Sequence, residues 1–338
     1  MTSPPGPRRA PARGGARRAT LRDVAQAAGV SVWTVSTTYS NPARVASATR
    51  ERVFAAAAAL GFTGPDPVAR SLALGRTRIV ALVADGAAEP LLADPAAALV
   101  ARGLARYCDR AGVSLLLAGS ARGSAVDGSV LFRMRPPAAP THPVVAVDVP
   151  PAPGVVAVRA DVREAGAHVA RHLRELGHRE LVVLTWAGAG ERLEGVRAGW
   201  AAAGPVRVFM AGSPEGATDA AAGPTRADAE TVAQVALGRE PRPTAVLALT
   251  DVLARGALVA ARWAGLDVPR DLSVAGIDDL DGSDALGLTT AFVPYRPLGE
   301  LAGATLSRLV EGEDAPPPPP LPTSLAIRST TARAPAAG

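Results

Sequence analysis

The chain has 338 residues, 48% of them apolar and 20% charged, which excludes a wholly disordered or collagen-like polymer and leaves room for two or three domains. No run of about 18 apolar residues occurs, so no membrane span is expected; one cysteine, Cys108, excludes an internal disulfide framework and a cysteine-rich zinc site. All 36 basic residues are Arg, and residues 1–78 hold 12 of them against Asp23, Glu51 and Asp66, a net of +9, while the remainder is net −4. A basic head on a mildly acidic body suggests that the head meets a polyanion.

Residues 1–18 are rich in Pro, Gly, Ala and Arg. They cannot bury a core and read as a disordered basic tail. They lack the apolar segment of a secretory signal, so the expected compartment is the cytoplasm. Residues 19–63 read as three short helices. Thr20 can cap the first, with Asp23 three residues on as a variant capping box. Leu21, Val24, Ala25 and Ala28 share a face, and Gly29 breaks the helix, as the tight turn of a helix-turn-helix requires. Ser31 can cap SVWTVSTTYS, whose Val35 and Tyr39 lie four apart and are placed inward. Val32, Trp33, Ser36, Thr37 and Ser40 then point outward. A third helix from Ser47 to Leu60 turns Val53, Ala56, Ala57 and Leu60 inward, and Gly61 ends it.

Residues 64–77 form a Pro-punctuated linker in which Asp66 and Pro67 signal a helix start. From residue 78 to 333 short apolar runs (IVALVA, VSLLLA, SVLF, PVVAVD, LVVLT, VRVFM, AVLAL, LSVAGI) alternate with longer helical stretches. That alternation predicts an α/β body with parallel sheets. The prolines at 316–320 mark a stiff exposed link.

TLRDVAQAAGVSVWTVS, then RVASATRERVFAAAAALGF, then PVARSLALGRT resembles the lactose-repressor (LacI) family of bacterial regulators, and the resemblance extends over residues 20–331. It implies an all-α helix-turn-helix head and a two-lobed, periplasmic-binding-protein-like core for effector binding and dimerisation. It makes the second helix a recognition helix in the major groove, with Val32, Trp33 and Thr37 toward base edges. Val32 and Trp33 have little hydrogen-bonding capacity, so apolar contact with thymine methyls is expected beside bidentate readout. Thr20, Thr34 and Ser36 can donate to phosphates, and Arg44 and Arg50 lie where relatives meet the backbone or nearby bases. In the linker the resemblance implies a helix whose Leu72 wedges into the minor groove, flanked by Val68, Ala69 and Arg70.

Ligands in such folds sit at the carboxyl ends of strands, between lobes. Asp148 ends one strand, Asp251 follows AVLALT, Asp278 follows SVAGI, and Arg192 opens the helix after LVVLT. Carboxylates and a guanidinium converging on a cleft suit a polyhydroxylated ligand. The resemblance places Arg192 and Asp278 among effector contacts, with Asp94, Asp148, Asp251 and Trp186 as further candidates. Asp94 and Asp251 also stand where helices begin, so capping competes with ligand contact there. The chain departs from the family at Asp94-Pro95-Ala96-Ala97, where relatives often have Asn-Pro-Phe-Phe, and at Thr250, usually Asn. Only about ten residues separate VSLLLA from SVLF, whereas a parallel crossover normally needs a dozen or more. A helix there is expected to be shortened to a turn or missing.

Enzymatic signatures are weak. Gly188, Gly190 and Gly195 follow a strand, but the third comes two positions late for a dinucleotide loop. His142, His168, His172 and His178 form no metal motif, no P-loop or G-x-S-x-G elbow occurs, and Asp278-Asp279 reads as a helix start beside an effector pocket. No catalysis, cofactor or metal is expected. The expected partners are double-stranded operator DNA, a small-molecule effector such as a sugar or related metabolite, and a second copy of the chain in a homodimer matching a two-fold operator. A ligand-independent DNA-binding regulator and a small-molecule-binding protein of the same fold remain as alternatives.

Overall fold

The structure is a computed structural model that describes residues 19–64, 76–84, 88–120, 125–150, 152–201, 203–212 and 223–335. The tail 1–18 and the linker positions Asp66, Pro67, Val68, Ala69, Arg70 and Leu72 lie outside the described residues. The chain divides into a head that ends at Thr77 and a body that begins at Arg78.

The head contains α1 (Leu21–Ala28), α2 (Val32–Ser40) and α3 (Ser47–Ala59), with a 3-10 turn at Pro42–Arg44. Thr20 and Asp23 cap α1 reciprocally: the Asp23 carboxylate accepts from the Thr20 N–H at 2.8 Å, and the Thr20 hydroxyl accepts from the Asp23 N–H. Gly29 ends α1 at φ 62°, a left-handed conformation that glycine adopts without steric penalty. Val24, Ala25, Ala28, Val35, Val53 and Ala57 form the core. Tyr39 meets Phe54 and Phe62 edge-on, with ring centroids 5.4 and 5.8 Å away. Leu60 corrects the sequence reading: it is 42% exposed. The helix stops at Ala59, Gly61 reverses the chain at φ 63°, and Phe62 packs on the core instead.

In the body, β1 (Ile79–Val83), α4 (Ala88–Ala93), α5 (Pro95–Ala111), β2 (Ser114–Ala118), β3 (Gly128–Phe132), β4 (Val144–Val147) and β5 (Ala157–Val158) build the first lobe. Its strands are all parallel in the order β2-β1-β3-β4-β5. Between β2 and β3 no helix occurs among the described residues, as the short spacing predicts. The second lobe comprises α6 (Val162–Glu175), β6 (Leu181–Thr185), α7 (Gly190–Trp200), β7 (Val206–Met210), α8 (Arg226–Leu237), β8 (Ala245–Ala248), α9 (Asp251–Trp263), β9 (Ser273–Asp278) and β10 (Thr289–Phe292). Then α10 (Tyr295–Val310) returns to pack on α5, and β11 (Ser324–Ala326) pairs antiparallel with β10. The second sheet runs β11-β10-β9-β8-β6-β7.

The chain thus passes between lobes after β5, after β10 and after α10. The first and third passages are tied together, because Leu321 N donates to Arg159 O at 2.8 Å and Asp161 N donates to Leu321 O at 2.9 Å. Glycines let the helices of each lobe approach closely. Gly103 of α5 and Gly299 of α10 each face a carbonyl of the other helix, as do Gly195 of α7 and Gly166 of α6.

His178, buried just before β6, ties the segment around Ala332 to the second lobe. Its Nδ1 lies 2.9 Å from Thr244 Oγ1 and its Nε2 lies 3.1 Å from Ser273 Oγ and 3.2 Å from Ala332 O. Burial lowers the pKa of His178 and of His172 below the ordinary 6.5. The unfolded chain therefore binds these protons more tightly than the folded body does. The stability involved is complete above the ordinary value and is lost as pH falls through the lowered ones. Urea midpoints should decrease between about pH 7.5 and about pH 5.5, and His178→Gln should flatten that slope. An unchanged slope in the variant would exclude His178 as its source.

Candidate functional site

The outer face of α2 is the first candidate. Ser31 caps it, accepting from Thr34 N at 3.0 Å, and its hydroxyl lies 2.8 Å from that of Thr34. Thr38 is buried and donates to Thr34 O at 2.8 Å. With Val35 and Thr38 sealed inward, the helix presents Val32, Ser36 and Trp33, the last 72% exposed. Among the described residues of the head, little packs on this indole. Thr37 corrects the sequence reading: only 9% of it is exposed. It stands one turn after Trp33, and helical side chains lean toward the preceding turn, so this short side chain is sheltered on a face where the long indole is not.

The polar residues assigned to phosphates are distributed around this face. Thr20 is half-buried in its capping box, and its hydroxyl donates to Asp23 at 2.7 Å. Arg44 is exposed on the 3-10 turn, whereas Arg50 of α3 donates to Pro42 O at 3.1 Å and braces that turn.

The second candidate is a cavity of about 1150 Å³ between the two lobes of the body. Its wall includes Asp94, Phe132 and Arg133 from the first lobe and Trp186, Thr250 and Asp278 from the second. Three of the groups around it sit at carboxyl ends of strands with left-handed backbone: Arg133 at φ 50°, Asp148 at φ 57° and Asp278 at φ 129°. Such strain in side-chain-bearing residues, especially an Arg, gathers where a fold holds functional groups in place.

These groups pair with one another. Arg133 donates through Nε to Asp148 at 2.8 Å, through Nη1 to Asp94 at 2.9 Å and through Nη2 to Tyr295 OH at 3.3 Å. Arg192 donates through Nη1 to Asp278 at 2.7 Å and to Leu249 O at 2.6 Å, and through Nη2 to Tyr295 OH at 2.7 Å. The Tyr295 hydroxyl donates to Asp278 at 2.6 Å. Tyr295, at the second passage between lobes, thereby joins the guanidinium of one lobe to that of the other. The Trp186 ring centroid is 5.8 Å from the Arg133 guanidinium carbon and 5.3 Å from that of Arg192, within cation–π range.

Burial works against the charged forms here, and pairing outweighs it. Desolvation opposes the Arg133 and Arg192 charges, but Asp94 and Asp148 around the first and Asp278 beside the second hold both pKa values above the ordinary one. Burial likewise opposes the Asp148 charge, and Arg133 pulls its carboxyl below the usual range. Burial holds the Tyr295 hydroxyl well above its ordinary value, so it stays protonated and can donate.

The sequence candidates separate into distinct roles. Asp94, Trp186 and Asp278 line the cavity; Arg192, only 3% exposed, and Asp148 brace it from behind. Asp94 also caps α5, accepting from Ala96 N at 2.8 Å and Ala97 N at 3.3 Å. Asp251 corrects both readings made for it. Thr250 caps α9, and the fully buried Asp251 accepts from Leu280 N at 2.9 Å, Ser283 Oγ at 2.6 Å and Thr290 Oγ1 at 2.6 Å. It braces the turn after β9 and does not face the cavity. Burial and the neighbouring Asp278 push its carboxyl up to about 7 despite those donors. Sequence reasoning missed Arg133 and Tyr295. Arg133 immediately follows SVLF, so the strand-end rule that found Asp148 could have found it; nothing local marks Tyr295. Among the described residues no cluster of His, Cys, Asp and Glu is arranged to hold a metal ion.

Residues 20–64 match the family model for bacterial regulatory proteins of the lacI family, and residues 170–331 match that for a periplasmic binding protein-like domain. An HTH-type transcriptional regulator of Mycolicibacterium smegmatis is 35% identical, covering 86% of this chain and 90% of its own. Among solved structures, the lac repressor dimer bound to operator and the anti-inducer ONPF is similar with a TM-score of 0.75 at 25% identity, over 94% of this chain and 100% of that one. A complex of the transcriptional regulator CelR with cellobiose is similar with a TM-score of 0.63 at 26% identity, over 93% of this chain and 100% of that one.

Proposed function

The chain belongs to the LacI family of bacterial regulatory proteins, and from that premise we propose that two copies of this DNA-binding transcriptional regulator bind one operator, each laying α2 in the major groove, while a small molecule between the lobes sets the affinity. The observation that carries the reading is Trp33, left in water at the start of a capped helix whose other face is sealed. Val32 and Trp33 meet base edges by apolar contact, Ser36 and Thr34 meet phosphates, and Arg44 and Arg50 supply salt-dependent attraction, whereas both Thr20 donors are held by Asp23 in the capping box. Thr37 is sheltered in the head and contributes to α2 packing more than to base contact. From the linker, Val68, Ala69 and Leu72 enter the minor groove. The protein acts in the cytoplasm, as a repressor and not as an enzyme.

An effector acts by binding the open and closed arrangements of the lobes unequally. Asp94, Trp186 and Asp278 line the cleft that it enters, with Arg192 holding Asp278 and Asp148 holding Arg133. The ligand-independent alternative draws on one feature, the pairing of Arg133 with Asp94, which engages a cavity-lining carboxylate that a sugar would otherwise use.

Trp33→Ala tests the reader. Against a duplex selected from random sequence, it should weaken binding by about 1–3 kcal/mol while leaving non-specific affinity and its salt slope in place. Equal affinity of both proteins for the selected duplex, measured by fluorescence anisotropy, would remove Trp33 from the readout.

A further inference from the structure

The donor and acceptor balance of the inter-lobe cavity is one-sided. Its carboxylates are used internally: Asp94 by Arg133 and two backbone N–H groups, and Asp278 by Arg192, Thr250 and Tyr295. At the rim Glu230 accepts from Arg226 at 2.7 Å. Donors, in contrast, are left over. The Trp186 indole N–H has no acceptor among the described residues, although Trp186 is only 6% exposed. The buried Nε–H of Arg255 has none either. Arg255 donates only to the Asp281 carbonyl at 2.7 Å and the Ser283 hydroxyl at 3.4 Å. Arg262 is exposed, and among the described residues neither it nor Arg255 is paired with a carboxylate.

Position puts the two arginines on the cavity wall. Val252, Arg255, Gly256, Val259 and Arg262 of α9 all line the cavity. They fall at helical spacing on one stripe, with the two arginines about 10 Å apart along the axis. The rest of the wall is mostly apolar, including Leu91, Ala97, Phe132, Leu280 and Leu286. A neutral polyol presents hydroxyls that need acceptors, and on this wall they would have to share carboxylates already engaged by Arg133, Arg192, Thr250, Tyr295 and Arg226. An oxyanion needs only donors and is drawn to unpaired guanidinium groups.

Building on the reading of this cleft as the effector site, we propose that it takes an organic anion with an apolar body, the oxyanion bound by Arg255 and Arg262 and the body against the apolar wall. Titration calorimetry on the full chain tests this with phenylacetate, octanoate and naphthoate, each against its neutral primary amide, and with cellobiose as the polyol. At least one acid should bind more than about 10-fold tighter than its amide. Arg262→Gln and Arg255→Gln should each shrink that ratio toward unity, with unchanged circular dichroism as the folding control. Amides binding as well as acids, cellobiose outbinding every acid, or no heat from any acid at about 10 mM would overturn the ligand class. Acid binding that leaves operator affinity unchanged in anisotropy would keep the ligand class and overturn the effector role instead.

Discussion

Arg192→Met should destabilise the body by about 3–5 kcal/mol, the cost of leaving a buried charge without its partner. Arg192 and Asp278 are both almost wholly out of water, and 2.7 Å separates their bonded atoms. Removing the guanidinium takes one donor from Asp278, one from the Leu249 carbonyl and one from the Tyr295 hydroxyl. Methionine fills much of the volume, so the loss reports the electrostatics and not a cavity. Asp278→Asn on top of it removes the orphaned charge and keeps an acceptor for one of the two hydroxyls, Thr250 or Tyr295, that donate to Asp278. The double variant should therefore be more stable than the single one, a non-additive result diagnostic of a coupled pair. Three of the four tryptophans lie in the body, so fluorescence in urea follows its unfolding. A loss below about 1 kcal/mol for Arg192→Met would mean that the pair behaves as a solvated one.

The same pair shows what a sequence can and cannot reveal. Asp278 was legible as a cavity-lining residue because strand ends point at a cleft, and the same rule placed Asp148 near the cleft, where it backs Arg133 and does not line the wall. The capping of α1 was legible because Thr20 and Asp23 are three residues apart and act locally. Arg133 was not, because its partners Asp94 and Asp148 lie on other elements and meet it only through the packing of the first lobe. The cap of α9 lies one position before Asp251: a cap is set by which residue keeps extended backbone, and Thr250 does. Leu60 was misplaced because a helical wheel cannot tell where the last turn stops, and Thr37 because a wheel gives the direction of a side chain but not its depth in the packing. The lack of a helix among the described residues between β2 and β3 was legible, since the connection is shorter than such a crossover normally needs.

The glycines of α7 give a second large effect, and a contrast within one helix. Gly195 crosses α6 where a methyl group would fall inside contact distance of the Arg163 carbonyl. That atom belongs to a helix backbone and cannot swing aside, so Gly195→Ala must push α6 and α7 apart. The expected loss is about 2–3 kcal/mol, at the upper end for overpacking. Gly190, at the start of the same helix, has nothing within 4 Å of its added Cβ. There the same substitution meets only the conformational preference of alanine and should stabilise by about 0.5 kcal/mol. The pair separates crowding from helix propensity, since propensity alone predicts a gain at both sites. The consequence reaches the cleft, because Arg192 stands one turn before Gly195 and its backbone carbonyl faces Gly166 of α6. A displaced α7 carries Arg192 away from Asp278 and Tyr295. Gly195→Ala should therefore alter ligand binding in the cavity as well as the urea midpoint, whereas Gly190→Ala should leave binding intact. Equal stability of the two variants would show that α6 and α7 have room to spare at their crossing.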